Sequence, residues 1–346
     1  MLVDWITARL PLELLEDIDR ETLLGLGDRI CRFNPKTGET VWETSAWDSV
    51  RSDSHQISFR AGTDALWIQG SPGRVFGDGD AVFGSGSASS LDLPGCVLGM
   101  ASMVFDTHGL VSRPAVQQWI VSRVDVTGML LLPSLADVRA ALLILRNCEG
   151  GRYRVNQQAG DTIYWSKRSR LRKGKAYAKG PHLRHMMKQA HYEGRRYTQE
   201  EIDAAGCLLR LELTLGNQWF RERAGQAWWS LTADQLKEEW NNYFKRMLGQ
   251  STVNTMNLAE QIRAVAKTDG QAKAAHACWA LIKAYGWEKA RDMQSKTTWY
   301  RNLNVLRAAG LGDADLSAGN VVPIRRPLIE CEMVHSWDDL RRRLAA

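Results

Sequence analysis

The chain has 346 residues, a formal net charge of +6 at pH 7 and 44% hydrophobic residues, with 14 tryptophans. This length predicts two domains with enough apolar residues for real cores. The sequence contains no run of about 18 apolar residues, and its start, Met1–Trp5, has an acid and no basic segment, which argues against a membrane span and a secretory signal. Six scattered cysteines without a Cys-x-x-Cys pair argue against zinc and disulfides, and favour a reducing cytoplasm.

Positive charge is concentrated in one segment, residues 165–197. This segment holds eleven basic residues and one acid, whereas the rest of the chain holds 34 basic and 38 acidic residues. Such a local surplus is the usual electrostatic footprint of a protein that binds phosphate backbones. A solvated basic loop is the alternative, which is disfavoured because candidate catalytic residues lie in the same segment.

The first 220 residues have patterns typical of mixed α and β structure. Strands are predicted over residues 3–10, 29–33, 40–43, 56–60 and 65–69. A Pro-Lys-Thr-Gly turn joins the second and third of these into a hairpin. A loop rich in Gly, Ser and Asp follows over residues 70–90, and because it lacks Gly-Lys-Ser/Thr we favour a flexible or substrate-lining loop over a phosphate-binding loop.

Two later stretches have nearly the same sequence, Arg-Val-Asp-Val-Thr at residues 123–127 and Arg-Leu-Glu-Leu-Thr at residues 210–214. If both are strands, alternation puts Arg, the acid and Thr on one face and the aliphatic residues on the other. The aliphatic face would pack on a core and leave Asp125 and Glu212 on the opposite face. These two carboxylates would be able to share a divalent cation. Arg–carboxylate bridges on a sheet face are the alternative.

Between these stretches, residues 162–165 and 175–179 predict a hairpin with a basic tip. On the second strand, Lys175, Tyr177 and Lys179 would share a face. A helical conformation of residues 175–179 remains possible and would separate Tyr177 from Lys179.

Capping boxes that begin at Ser134 and Thr198 predict two helices in this part of the chain. After about residue 220 the pattern becomes helical, with apolar stripes or helix signals over residues 236–248, 256–267, 270–285 and 296–309. Residues 295–303 resemble the second helix of a helix-turn-helix, although an ordinary amphipathic helix explains them equally well. Residues 320–324 suit a short strand.

In their order, these motifs resemble the replication-initiation proteins of filamentous bacteriophages, the gene II type that starts rolling-circle synthesis. The motifs are Asp4-Trp5, Ser71-Pro72-x-x-Val75, Val82-Phe83-Gly84, Arg123-x-Asp125, Trp165 with Ser169-Arg170, Ala176-Tyr177-x-Lys179, Arg210-x-Glu212, Thr298-x-Tyr300-Arg301 and Asn320-Val321-Val322-Pro323. The resemblance implies the α+β class, with a catalytic nicking and joining domain over residues 1–220 built on a sheet flanked by helices, as in rolling-circle nucleases. A C-terminal all-helical domain over residues 221–346 would bind DNA or serve as an accessory domain.

The resemblance also implies an activity, that of a site-specific DNA endonuclease with strand-joining activity. Family members nick the viral strand at the origin, remain attached to the 5′ phosphate through a tyrosine and leave a 3′-OH primer, and they later rejoin the displaced strand into a circle. The family's tyrosine falls on Tyr177, with Lys179 in the same motif. Implied partners are duplex origin DNA, displaced single-stranded DNA and the host replication helicase and polymerase, in the host cytoplasm and without a membrane.

The implied site has acids at Asp125 and Glu212, and carboxylates suit Mg²⁺ or Mn²⁺ better than zinc. Lys175 and Lys179 would favour the phenolate of Tyr177. The residues predicted to contact DNA are Arg123, Lys167, Arg168, Arg170, Arg172, Lys173, Lys175 and Arg210.

One departure from the family concerns Gly79-Asp80-Ala81, where the family commonly has Gly-His-Asn. The third metal ligand is therefore Asp80, His55 or absent, and we assign His182-x-x-His185 to a basic helix rather than a metal site. Tyr164, Tyr192 and Tyr197 are alternative tyrosines. A non-catalytic DNA-binding replication factor is the competing function, and a plasmid-type initiator with the same chemistry is a nearer alternative.

Overall fold

A computed structural model of the chain describes residues 1–51, 56–85, 92–146, 155–156, 161–190, 192–223, 227–248, 258–312, 316 and 333–345. The strands are β1 Leu2–Pro11, β2 Arg29–Phe33, β3 Thr40–Ser45, β4 Asp48–Arg51, β5 Gln56–Ala61, β6 Ala65–Gly70, β7 Ile120–Leu131, β8 Val155–Asn156, β9 Thr162–Trp165, β10 Arg172–Ala178, β11 Leu208–Leu215 and β12 Met333–Val334. The α-helices are α1 Asp17–Gly25, α2 Pro72–Val75, α3 Leu93–Thr107, α4 Leu135–Arg146, α5 Lys179–Met187, α6 Gln199–Gly206, α7 Asn217–Glu222, α8 Ala233–Leu248, α9 Leu258–Val265, α10 Asp269–Tyr285, α11 Trp287–Asp292, α12 Lys296–Ala308 and α13 Trp337–Ala345.

A large antiparallel sheet organises the chain, in the order β4-β5-β6-β1-β7-β11-β10-β9-β8. Strand β12 also pairs with β7, beyond the part of β7 that β1 occupies, and β2 and β3 form a separate hairpin. The α+β prediction and the predicted strands over residues 3–69 are confirmed, and so are those at residues 123–127 and 210–214. The strand predicted at residues 320–324 lies outside the described residues.

One face of the sheet is apolar, as the alternation in β7 and β11 predicts. Helices α3, α4 and α8 pack against this face and form the main core. Two glycines let α8 approach closely, because a Cβ at Gly128 would lie 2.9 Å from the Trp240 ring and one at Gly174 would lie 2.6 Å from the Tyr243 ring. The indole N–H of Trp240 donates to the carbonyl of Leu211, 3.1 Å away.

The other face is polar over most of β1, β7, β10 and β11, and helices cover only part of it. A smaller apolar cluster joins α5, α6 and α13 to the end of this face, with Met129 and Leu208 from the sheet and Leu183, Ile202 and Trp337 from the helices. The capping box predicted at Thr198 is confirmed, since its hydroxyl accepts from the N–H of Glu201 and the Glu201 carboxylate accepts from the N–H of Thr198. At Ser134 the hydroxyl accepts from the N–H of Asp137 and donates to its carboxylate. The polar face and this helical cover meet at the candidate site.

The second half of the chain is divided between two cores. Residues 258–312 and Leu316 form an apolar core of their own around α9, α10, α11 and α12, whereas α8 and α13 pack with the sheet. The boundary at residue 220 stays a prediction, and the packing adds that the sheet domain recruits helices from beyond it. Within the described residues, no helix is both long and apolar enough to span a membrane.

Candidate active site

Strand register brings the residues predicted for catalysis onto one face. Tyr177 on β10 lies opposite Arg210 on β11, and Lys175 lies opposite Glu212. On the next strand, β7, Asp125 lies opposite Thr214. Directly opposite residues in an antiparallel pair project from the same face, so the tyrosine and both acids share the polar face. We call this group the acid–base cluster. Its members are Asp4, Arg123, Asp125, Lys175, Tyr177, Lys179, Arg210 and Glu212.

Tyr177 lies at the centre of this cluster and is only 3% exposed. Its hydroxyl donates a hydrogen bond to Oε1 of Glu212, at 2.7 Å. Burial raises the pKa of Tyr177 well above its ordinary value; Arg210 opposes this shift, and the negative charges of Glu212 and Asp4 add to it. The phenol is therefore protonated at neutral pH in this conformation, and the expectation that the neighbouring lysines favour its phenolate stays a prediction.

Arg210 holds the cluster together from inside. Its side chain is 1% exposed and its guanidinium contacts Oδ1 of Asp4 at 2.6 Å and Oε1 of Glu212 at 2.9 Å. It also donates to the carbonyls of Ala81 and Val82, at 3.0 and 3.4 Å. A planar guanidinium with five donors suits this many acceptors. The DNA contact predicted for Arg210 stays a prediction, and the structure gives its guanidinium buried protein partners.

Asp4 is a member of the site that the sequence analysis did not single out as a functional residue. A register shift between Val3 and Trp5 leaves Asp4 as the extra residue of a β-bulge in β1. Burial alone would raise the pKa of Asp4, but the positive charges of Arg210 and Lys179 outweigh burial and hold it below its usual range. An acid within an otherwise alternating apolar strand was the available sequence signal.

Asp125 accepts a bidentate interaction from Arg123, with Nε and Nη2 at 3.0 and 2.6 Å from its two carboxylate oxygens. The Arg–carboxylate bridge considered from the sequence is thus present. Burial raises the pKa of Asp125; Arg123 opposes this shift, and the charge of Glu212 adds to it. The two acids are thus close enough to repel each other. The remaining oxygen of Glu212, Oε2, lies 3.2 Å from Nζ of Lys175.

Lys179 and His182 approach Tyr177 from the start of α5. The predicted strand is correct for residues 175–178, but Lys179 is the first residue of the helix. Its Nζ nevertheless lies 5.8 Å from the centre of the Tyr177 ring. Burial and Arg210 lower the pKa of Lys179 well below its usual value, against the opposing charges of Asp4 and Glu212.

His182 was assigned only to a basic helix, and it does lie on α5. The structure adds that its ring centre is 4.8 Å from that of Tyr177. Burial, with the charges of Lys179 and Lys175, lowers the pKa of His182 to about 2, so the imidazole is neutral. No motif spacing indicated this contact, because it depends on where β10 turns into α5.

Asp80, a candidate third metal ligand, is occupied by hydrogen bonds instead. Its carboxylate accepts from five donors, namely the N–H groups of Val82 and Phe83, the hydroxyls of Ser85 and Tyr197 and the indole N–H of Trp337. Burial alone would raise the pKa of Asp80, but these hydrogen bonds outweigh burial and lower it. Asp80 therefore fixes the loop whose carbonyls hold Arg210. His55 lies outside the described residues.

The predicted DNA-binding residues do not all share one surface. Lys167, Arg168 and Arg170 are exposed at the tip of the β9–β10 hairpin, and Lys173 lies opposite Thr214 on the polar face. Arg172 projects from the opposite face and pairs with Glu239 of α8 at 2.5 Å. The DNA contacts of all these residues stay predictions, but Arg172 already has a structural partner.

A protein family and a phage protein match this chain over most of its length. The family described as the N-terminal region of the phage replication-associated protein, the gene II type, matches residues 2–242, a range that includes every residue of the acid–base cluster. The chain belongs to this family. The replication-associated protein of the same type from Enterobacteria phage I2-2 is 27% identical over an alignment that covers 94% of this chain and 93% of that protein. The resemblance to filamentous phage replication proteins is therefore confirmed, and the likeness to this relative extends into the helical core of residues 258–312 and Leu316.

Proposed function

We propose that this member of the replication-associated protein family initiates rolling-circle replication by nicking the viral strand at the phage origin and later rejoining the displaced strand. The observation that carries the proposal is a buried tyrosine whose hydroxyl donates to a carboxylate on a polar sheet face, on the same hairpin as an exposed basic tip. The name of the phage I2-2 relative, a replication-associated protein, supports the same process. The proposed setting is the host cytoplasm, with the host helicase and polymerase as partners.

In the proposed reaction, the Tyr177 oxygen attacks the scissile phosphorus. An O–P bond to the tyrosine forms as the bond to the 3′ oxygen breaks, and the hydroxyl proton passes to Glu212 along the hydrogen bond already present. The leaving 3′ oxygen takes a proton from the solvent side, where Lys175 lies. One phosphodiester replaces another, so no nucleotide cofactor is needed and attack by a 3′-OH reverses the step.

The raised pKa of Tyr177 makes a proton acceptor necessary, because a protonated phenol is a poor nucleophile. Glu212 is the acceptor in direct contact. Lys179 lies 5.8 Å from the centre of the Tyr177 ring, and burial lowers its pKa. We propose that this lysine, the second residue of the Tyr-x-Lys motif, assists the reaction from the buried side of the ring.

Two carboxylates of the cluster are candidate ligands for a divalent cation, although no group of three or more His, Cys, Asp or Glu side chains in the described part of the chain is placed to hold a metal ion. Asp125 and Glu212 offer hard carboxylate oxygens on one sheet face, and Mg²⁺ in phosphate chemistry is typically held by one or two carboxylates with water and phosphate oxygens. Their present partners on the solvent side, Arg123 and Lys175, are part-exposed and can turn toward a phosphate. We propose that Asp125 and Glu212 hold Mg²⁺ or Mn²⁺, which when bound would neutralise a phosphate oxygen.

The decisive experiment incubates the full chain with supercoiled replicative-form DNA of the phage and Mg²⁺. The proposal expects nicked circles with covalently attached protein, both lost in Tyr177→Phe and both retained in Tyr192→Phe, a matched tyrosine of the basic segment. Chelation by EDTA should stop nicking, and added Mg²⁺ should restore it. Unchanged nicking by Tyr177→Phe would move the nucleophile elsewhere. DNA binding without nicking by the wild-type chain would favour the non-catalytic replication factor.

A further inference from the structure

The polar face continues beyond the acid–base cluster across β1, β6 and β5. Register places Arg9 opposite Trp67 and Trp67 opposite Arg60, so these residues share one face. Trp47, directly before β4, and Trp5, opposite Asp125 on β7, extend the row at its two ends. We call Trp5, Arg9, Trp47, Arg60 and Trp67 the Trp–Arg face.

On this face guanidinium groups and indole rings alternate. The guanidinium carbon of Arg60 lies 5.0 Å from the ring centre of Trp47 and 5.9 Å from that of Trp67, and Arg9 lies 5.5 Å from Trp67. Arg123 continues the series, 5.8 Å from Trp5. Distances under about 6 Å are in the range of cation–π attraction. The result is a row of planar groups in which cationic guanidinium groups lie between neutral indole rings.

The charges of this face are only weakly neutralised by the protein. Arg60 has no ion-pair partner among the described residues, and its Nε is without a hydrogen-bond partner there. The acid nearest to Arg9 is Asp64, 3.9 Å away and 75% exposed. Trp47 is 41% exposed, and the other four side chains are half-buried. Cations with aromatic neighbours and no firm acid partner remain available to an anionic ligand.

The Trp–Arg face is continuous with the proposed nicking site. Arg123 contacts both Trp5 on this face and Asp125 in the acid–base cluster. From Tyr177 on β10 to Arg60 on β5 the strand order runs through five neighbouring pairs, and at about 4.8 Å per pair this spans roughly 24 Å. That length accommodates several nucleotides of an extended strand.

We propose that the Trp–Arg face binds single-stranded DNA beside the scissile phosphate, with bases stacked on the indole and guanidinium planes and phosphates near Arg9 and Arg60. Stacking requires exposed base faces, which unpaired DNA offers and an intact duplex does not. The inference rests on the proposed nicking function and deepens it: the origin is held open on one side of the nick. Nothing in the family match assigns these five residues a role.

The test measures binding without cleavage, in the Tyr177→Phe background of the full chain. Fluorescence anisotropy follows a labelled 20-nucleotide single strand and the duplex of the same sequence. The double variant Arg60→Gln/Trp67→Leu should bind the single strand about tenfold more weakly or worse, since one stacked base contributes roughly that factor. Duplex binding should change less than about threefold.

The matched control is Arg32→Gln/Trp42→Leu, which removes an exposed cross-strand Arg–Trp pair from the separate β2–β3 hairpin. It should leave single-strand affinity within about twofold. If circular dichroism shows that the Trp67 variant is unfolded, the exposed Trp47→Leu/Arg60→Gln pair replaces it. Unchanged single-strand affinity in a folded variant, an equal loss for duplex DNA, or an equal loss in the control would each overturn the proposal. A wild-type chain that fails to nick would instead overturn the proposed function, which is a separate measurement.

Discussion

The two ends of the polar sheet face use positive charge in opposite ways. In the acid–base cluster each arginine contacts a carboxylate, and Arg210 is almost completely buried. On the Trp–Arg face the arginines lie against indole rings, and Arg60 has no acid partner in the described part of the chain. The same residue type on the same sheet is therefore internal structure at one end and an available cation at the other.

This difference follows from burial. Charges in a low-dielectric site are costly unless they are paired, so the buried members of the cluster, Arg210 and Glu212, are held in one arrangement before substrate arrives. Such a fixed arrangement suits chemistry, which depends on preorganised charges. Half-exposed cations keep most of their hydration and can exchange water for phosphate, which suits binding. The comparison predicts that substitutions at the two ends will separate stability from DNA affinity.

The largest effect is expected for Arg210→Met. The substitution keeps an unbranched side chain but leaves the half-buried Asp4 and the buried Glu212 without their shared cation. Breaking a buried ion pair in this way typically costs about 3–5 kcal/mol in the free energy of unfolding, which urea denaturation measures. Arg221→Met, an exposed arginine on α7, is the control and should cost less than about 0.5 kcal/mol. Equal midpoints for the two variants would refute the role assigned to Arg210.

The second effect concerns Asp80, which fixes the loop that binds Arg210. Asp80→Asn removes the negative charge of a carboxylate that accepts five hydrogen bonds. We therefore expect the free energy of unfolding to fall by about 1.5–3 kcal/mol at pH 7. The folded-state pKa of Asp80 is lowered, so its stabilisation is present above the unfolded value of about 3.9 and is lost as pH falls through the folded value. Urea midpoints of wild type and variant should therefore converge at acidic pH. A gap that stays constant down to about pH 3, below the unfolded pKa, would contradict the assigned hydrogen bonds.

The sequence predicted the features that depend on local alternation. The repeated Arg-x-acid-x-Thr stretches placed Asp125 and Glu212 on one face, because strand periodicity is a property of neighbouring residues. The meeting of Tyr177 with these two acids was implied only by the family resemblance.

The features that the sequence did not predict depend on long-range contacts or on single backbone irregularities. Asp4 reaches Arg210 because β1 has a bulge, and Lys179 is buried because β10 ends one residue before it. The hydrogen bond between Trp337 and Asp80 joins residues 257 positions apart. No local pattern encodes such a pairing. A carboxylate can bind a metal ion as well as accept hydrogen bonds, so the residue type alone did not distinguish the two roles of Asp80.

A moderate effect is expected for Arg123→Gln. Arg123 neutralises Asp125, which is buried, but its own side chain is 46% exposed. Water can therefore replace part of the lost interaction, and we expect a cost of about 1–2 kcal/mol, clearly less than for Arg210→Met. Urea denaturation of the two variants side by side checks the order. A cost for Arg123→Gln that equals the cost for Arg210→Met would show that burial of the arginine does not set the cost of removing it from the acid–base cluster.

The smallest effect on stability is expected for Arg60→Gln. Its guanidinium lies against Trp47 and Trp67, and cation–π contacts at exposed sites contribute about 0.5–1 kcal/mol. Removing the guanidinium also removes an Nε that has no hydrogen-bond partner in the described part of the chain, which offsets part of that loss. We therefore expect the free energy of unfolding to fall by less than about 1 kcal/mol, while the affinity for single-stranded DNA falls. Urea denaturation with Arg32→Gln as the matched exposed arginine measures the first quantity. A loss above about 2 kcal/mol, beyond the range of exposed cation–π contacts, would mean that Arg60 stabilises the fold as Arg210 does, and the contrast between the two ends of the sheet would fail.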